Sequence, residues 1–280
     1  MTVIQSIILA IVEGLTEFLP VSSTGHLILS EGILQMENTP YLRAFTVMIQ
    51  FGAILSVVVL YWRRFFTFDS SKAVSTGDGT RDKSLTGWRL YALIIVGCIP
   101  AAIAGLMLEK YIDMLLGNIW VVVIMLFLGG IVMIALDRYF KASDKPSVTY
   151  KNAFVVGIFQ CIAMIPGVSR SMATIMGGMQ QKLSRKQAAE FSFFLAIPTM
   201  FGATLLKGYK LYKEFGIEIF RENMTTLIIG NVVAFIVAML AIRFFIDYVT
   251  RKGFKVFGYY RIIVSVIFMI MLLAGVPLTH

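Results

Sequence analysis

Between Glu13 and His26 the chain gathers two carboxylates, a run of hydroxyls and an imidazole: Glu13, Glu17, Ser22, Ser23, Thr24 and His26. Apolar residues surround them. Hydrocarbon offers a charge or an unpaired hydroxyl few partners, so ionisable groups at such depth generally face a water-filled cavity and serve function. Serine and threonine alone would be accounted for by bonds back to their own helix or across to a neighbour. Three ionisable groups in fourteen residues would not. Glu13 and Glu17 are four apart and share a helix face. Two carboxylates that close in a low dielectric cannot both ionise cheaply, so one keeps a proton or a cation holds both. Ser23 precedes His26 by three residues, within reach of an imidazole base if the turn folds back.

A second cluster lies far along the chain, in Pro166-Gly-Val-Ser-Arg-Ser-Met-Ala-Thr174. In this reading Arg170 is the only Lys or Arg inside an apolar segment. Its planar guanidinium suits bidentate contact with phosphate or carboxylate. A structural ion pair with Glu13 or Glu17 is the plainer alternative for it. Ser169 and Ser171 flank it, and the stretch from Met172 to Met176 reads as the start of a helix. A turn leading into a helix N-terminus supplies backbone N–H groups and a positive dipole end, which together form an anion site. Thr174, four residues on, shares the face of Arg170. Hydroxyl, imidazole, carboxylates and an arginine-lined anion site at mid-membrane are the parts for phosphoryl transfer from a lipid. His280, the last residue of the sequence, reads as a solvated terminus.

The elements that must position these groups are membrane elements. The 280 residues are 58% hydrophobic and 15% charged, with a mean hydropathy of +0.81, which describes a multi-pass membrane protein rather than a soluble domain. The formal charge of +9 sits in short loops between apolar segments. That placement points to membrane orientation and anionic lipid, and away from nucleic acid. The first basic residue is Arg43, so the start of the chain lacks the charged region of a secretory signal and is expected to be retained. Cys98 and Cys161 lie in apolar runs without metal-ligand spacing and read as small buried hydrophobes.

Eight apolar segments run from about 4 to 30, 45 to 62, 90 to 108, 118 to 136, 152 to 180, 188 to 206, 226 to 242 and 262 to 276. Six are near the length of a spanning helix. The first and fifth are each broken by Pro and Gly beside a Ser-rich turn, a backbone irregularity tolerated at membrane depth only inside protein or along a cavity. The halves echo one another: Pro20-Val-Ser-Ser with Pro166-Gly-Val-Ser, and Phe51-Gly-Ala-Ile-Leu with Phe201-Gly-Ala-Thr-Leu. Paired, interrupted segments of this kind point to a binding site near the midplane at a repeat interface.

Loop charge decides whether the broken segments cross. If they are re-entrant hairpins, the inside loops carry 18 Lys and Arg residues and the outside loops 6; if all eight segments cross, the split is 14 against 10. The positive-inside rule favours the hairpins. The expected architecture is therefore an all-α integral membrane protein, a single domain of six transmembrane helices plus two re-entrant helical hairpins in inverted-topology repeats. The repeats span residues 1–140 and 150–280, with hairpins at about 4–30 and 152–180 whose tips meet at mid-depth, and both termini lie outside. Residues 67–87, rich in Ser, Gly, Thr and Asp, read as a flexible cytoplasmic loop without chemistry.

Glu13-x3-Glu17, the following Pro-Val-Ser-Ser-Thr-Gly-His and Pro166-Gly-Val-Ser-Arg-Ser-Met-Ala-Thr174 resemble the signature motifs of the bacterial undecaprenyl-diphosphate phosphatases of the bacitracin-resistance type. The likeness extends over nearly the whole chain in length and segment order. It implies an enzyme of the bacterial cytoplasmic membrane that hydrolyses undecaprenyl diphosphate to the monophosphate and phosphate. Such an enzyme recycles the lipid carrier for cell-wall polymers and confers bacitracin resistance, through a site open to the outside. By the same resemblance Ser23 matches the nucleophile, His26 and Glu17 the proton-handling pair and Arg170 the phosphate clamp. Glu13, Ser22, Thr24, Gln160, Ser169, Ser171 and Thr174 match substrate-binding positions. His26, oriented by Glu17, would then take the proton of Ser23; the competing version makes His26 the nucleophile. The resemblance also suggests a divalent cation, Mg²⁺ or Ca²⁺, bridging Glu13, Glu17 and the diphosphate, and no organic cofactor. The expected partners are the lipid diphosphate, membrane lipid and a second copy of the chain in a homodimer. Inverted repeats with broken helices also describe secondary transporters, so a lipid flippase or ion-coupled carrier is the alternative. A carrier has no need of a nucleophile.

Overall fold

The computed structural model describes residues 1–68, 85–139 and 147–275, so most of the 67–87 loop and His280 lie outside the described residues. The chain is all-α, with no strand among the described residues. Helices α1 (Val3–Thr16) and α2 (Ser23–Ile33) flank the first Pro-Ser turn, and α3 (Pro40–Met48), α4 (Gln50–Leu60), α5 (Trp62–Phe66), α6 (Gly87–Leu116) and α7 (Ile119–Tyr139) complete the first half. The second half runs through α8 (Tyr150–Ile162), α9 (Arg170–Gln180), α10 (Arg185–Phe215), α11 (Glu218–Glu222), α12 (Met224–Lys252) and α13 (Lys255–Leu273).

Among the described residues, six helices are long and apolar enough to cross a membrane: Pro40–Leu60, Gly87–Leu108, Ile119–Tyr139, Arg185–Phe215, Met224–Lys252 and Lys255–Leu273. Each overlaps one of the six uninterrupted segments. The last begins at Lys255 rather than at 262, which corrects the reading of Arg170 as the only basic residue inside an apolar segment. Arg261 is in that helix, fully buried.

The two broken segments share local rules. Thr2 and Thr149 cap α1 and α8 with the same reciprocal box, each hydroxyl accepting the N–H of a residue (Gln5, Asn152) whose side chain bonds back to the cap. Ser22 and Ser169 cap α2 and α9 at φ 70° and 79°, and positive φ returns at Gln35 and Lys182 just beyond those helices. Every pair is 147 positions apart: 2 and 149, 22 and 169, 35 and 182. That register places Glu13 opposite Gln160 and Ser23 opposite Arg170. It is one residue off the pairing of Pro20 with Pro166 that the sequence echo gives.

Each hairpin leans on the other half. Helix α1 packs along α12, and α8 along α6. Glycines set the closeness: a Cβ on Gly14 would stand 2.9 Å from the Ala234 carbonyl, and one on Gly157 would overlap the Gly97 carbonyl. The turns consequently sit deep, with Phe18, Val21, Val168 and Met172 in the same buried cluster as Phe193 and Phe245.

Candidate active site

The cap serines do two jobs. Their left-handed backbone, uncommon outside glycine and asparagine, reverses the chain after each Pro-containing turn. Their hydroxyls accept the first free N–H groups of the next helix, Gly25 N–H for Ser22 and Met172 N–H for Ser169. Helices α2 and α9 therefore both start at the turns, and α9 starts at Arg170 itself, two residues earlier than expected.

Glu17 is where the hairpins meet. Its Oε2 accepts the Ser23 hydroxyl at 2.6 Å, and its Oε1 pairs with Arg170 Nη2 at 3.0 Å. Arg170 also donates through Nη1 to the Ser192 carbonyl at 2.9 Å and lies over the Phe18 ring, while its Nε is buried without a partner. Ser171 donates across the interface to the Leu19 carbonyl at 2.9 Å and in turn accepts from Ser169 at 3.0 Å. Thr174, fully buried, donates to the Arg170 carbonyl and accepts the Ser192 hydroxyl at 2.6 Å.

Ser23 and His26 are not a pair in this structure. His26 Nδ1 lies 2.8 Å from the Ser22 carbonyl, which only accepts, so Nδ1 carries the proton; Nε2 then accepts the Tyr260 hydroxyl at 2.7 Å. The Tyr260 ring also stacks on the imidazole, 5.5 Å between centroids. A helical side chain leans back toward the N-terminus of its helix, which brings the His26 ring to the Ser22 carbonyl and leaves the Ser23 hydroxyl to Glu17.

Glu13 and Gln160, equivalent positions of α1 and α8, are both buried, and neither carboxylate nor amide has a hydrogen-bond partner. Buried polar atoms without partners mark places that a ligand, ion or water completes. Glu13 faces the Glu17 carboxyl and feels Arg170. Thr24 is half-buried and makes no side-chain hydrogen bond among the described residues. As for a cation, no set of three His, Cys, Asp or Glu side chains converges among the described residues. Of the two glutamates, Glu13 has neither oxygen in a well-formed hydrogen bond, whereas those of Glu17 meet Ser23 and Arg170. Two carboxylates are fewer donors than a divalent ion takes, so a cation held here would need its further ligands from outside the chain.

Three participants escaped the sequence reading: Ser192, Tyr260 and Arg261. Ser192 is one hydroxyl in an apolar run, with no local signal. Tyr260 and Arg261 stood just before the eighth apolar segment; extending its helical pattern about two turns back to Lys255 would have included them.

Fold and site together define a multi-pass membrane protein with a hydroxyl, a carboxylate and a guanidinium joined where two broken helical hairpins meet. Residues 6–267 match the profile of the family described as Bacitracin resistance protein BacA, and the chain belongs to that family. It is 60% identical over 279 residues to the undecaprenyl-diphosphatase of Porphyromonas gingivalis strain W83, covering 99% of each chain. It is 49% identical over 280 residues to the protein of the same name from Flavobacterium psychrophilum, covering 100% of this chain and 99% of the other. Against the one from Bdellovibrio bacteriovorus the identity is 45%, over 98% of each chain.

Proposed function

We infer that this chain hydrolyses undecaprenyl diphosphate to undecaprenyl phosphate and phosphate, recycling the carrier lipid for cell-wall polymers and so conferring bacitracin resistance. The observation that carries this reading is the Ser23 hydroxyl held at 2.6 Å by a carboxylate that is itself paired with Arg170, in a chain whose relatives carry that activity in their names. A carrier would need the buried charges but not a hydroxyl poised on a base.

In the first half-reaction Ser23 Oγ attacks the terminal phosphorus in line and its proton passes to Glu17. The bond from phosphorus to the bridging oxygen breaks, and undecaprenyl phosphate leaves. Arg170, with an unused Nε–H, and the N–H ends of α2 and α9 receive the charge on the equatorial oxygens. In the second half-reaction water attacks the phosphoserine. His26, once Tyr260 releases Nε2, takes the water's proton, and Glu17 returns its own to Ser23 as phosphate departs. A divalent cation bound by Glu13, with Glu17 beside it, would neutralise diphosphate charge. Ser22, Thr24, Gln160, Ser169, Ser171 and Thr174 complete the walls around the headgroup.

The protein belongs, in this reading, to the bacterial cytoplasmic membrane, with the hairpins re-entrant, the termini outside and the site open to the outside; the loop-charge split, 18 to 6 by segment and 17 to 6 with Arg261 placed in its helix, supports that orientation. The test is phosphate release from undecaprenyl diphosphate by the purified protein in detergent, beside Arg170→Ala. Release lowered at least about a hundredfold in the variant is expected, as for loss of a charge-stabilising group. No release by the wild type with substrate and Mg²⁺ or Ca²⁺ supplied would overturn the reading in favour of transport.

A further inference from the structure

Arg261 is fully buried in α13 and has no carboxylate partner among the described residues. A guanidinium has five N–H donors, and here all five are used on backbone carbonyls. Nη1 donates to Pro20 and Val168 (3.1 Å each), Nη2 to Gly167 (2.8 Å) and Met125 (3.2 Å), and Nε to Leu126 (3.2 Å). Those carbonyls belong to three separate pieces: the first Pro-Ser turn, the second, and the middle of α7. A Cβ on Gly129 would overlap the guanidinium, so α7 leaves room for it with a glycine.

We propose that Arg261 is a positioning residue that locks the two hairpin turns in register, so that Ser23 on one and Arg170 on the other address the same phosphate. The proposal rests on the phosphatase reading. A planar fork with five fixed donors sets the orientation of every peptide it holds, which an ammonium with three rotatable donors does not. The peptide bonds of the described residues are trans, so a carbonyl turned toward Arg261 turns the N–H of the same peptide away from it. The Val168 carbonyl thereby directs the Ser169 N–H to the opposite side of the turn, and that N–H has no partner among the described residues. The residue touches no reacting atom; it acts through the turns.

Two variants loosen this lock in different ways: Arg261→Lys keeps the charge, and Gly129→Ala displaces the guanidinium while leaving the arginine in place. Each is assayed for kcat and KM of phosphate release, and for amide hydrogen exchange in detergent over residues 17–24 and 165–172. A misplacement of reacting groups by about 1 Å costs on the order of a hundredfold in rate. We expect kcat to fall by about tenfold to a hundredfold with KM moving less than about threefold, and exchange to quicken at both turns but not along α12. Unchanged kcat and turn exchange would overturn the proposal. So would exchange quickening equally throughout, or failure of both variants to fold, because Arg261 would then serve the stability of the whole bundle. If the wild type releases no phosphate, the phosphatase reading falls, and the exchange at the turns still decides whether Arg261 locks them.

Discussion

Glu17 accepts from a serine and pairs with an arginine at the same time, and the two contacts make different demands on it. As a base it must take up the Ser23 proton; as the counter-ion of Arg170 it must stay charged and in place. Glu17→Gln keeps the shape but removes the base, and phosphate release is expected to fall by about a hundredfold to ten-thousandfold, the usual worth of a positioned acid–base group. Thermal stability in detergent should fall too, because Arg170, only 15% exposed, loses its ionic partner. His26 belongs to the second half-reaction, so His26→Gln should accumulate a phosphoenzyme. Acid quenching after mixing with labelled substrate reads this directly, since phosphoserine survives acid and phosphohistidine does not. An acid-stable adduct in His26→Gln that is absent from Ser23→Ala is the expected pattern. An acid-labile adduct retained in Ser23→Ala would transfer the nucleophile's role to His26.

The hairpins show what a sequence tells about an element and what it hides. Pro20 and Pro166 announced the two breaks because proline removes a donor and clashes with the preceding turn of a helix. The register of the duplication was harder to see. It lies in the capping boxes at Thr2 and Thr149 and in the left-handed Ser22 and Ser169, and nothing in a serine codes for positive φ. The Ser23 partner was misjudged for the same reason, since spacing to His26 says nothing about which way the turn sends the hydroxyl. The start of α13 was hidden by Lys255 and Arg261, because Arg261 looks like loop charge until its carbonyl partners are known. The Phe-Gly-Ala echo likewise conceals a difference. The Phe51 and Phe201 rings are neighbours, 6.1 Å apart, but Gly52 lies against the Asn231 backbone whereas Gly202 faces open space. At Gly167 the backbone has φ +89° and a Cβ would overlap the Val122 carbonyl. Gly167→Ala is therefore expected to destabilise by more than about 1 kcal/mol, the cost of an incompatible backbone. Gly202→Ala, in the middle of α10, should be neutral or stabilising by up to about 1 kcal/mol. Thermal unfolding of both in one detergent checks the contrast, and equal losses would mean that the turn is not held as described.

At the scale of the molecule, orientation follows from charge, and α12 lets it be tested with one helix. Its 29 residues reach about 43 Å at 1.5 Å per residue, enough to cross a bilayer including part of both interfaces. Arg221 precedes it on α11; Arg243, Arg251 and Lys252 lie in its last turns, with Lys255 just beyond. In the proposed orientation the positive-inside rule would put the C-terminal end of α12 in the cytoplasm and α11 outside. On the same proposal the hairpin α1–α2 would enter from outside and α8–α9 from inside. Cys98 and Cys161 are the only native cysteines and both are free thiols, so replacing them with alanine leaves a background for single probes. Glu222→Cys and Arg251→Cys sit at exposed positions on opposite ends of this span. In intact cells with a permeable outer envelope, a membrane-impermeant maleimide should label Glu222→Cys and spare Arg251→Cys until the membrane is opened. The reverse pattern would invert the molecule and turn the proposed site toward the cytoplasm. Labelling of both in intact cells would mean that α12 does not span, and the six-helix architecture would have to be redrawn.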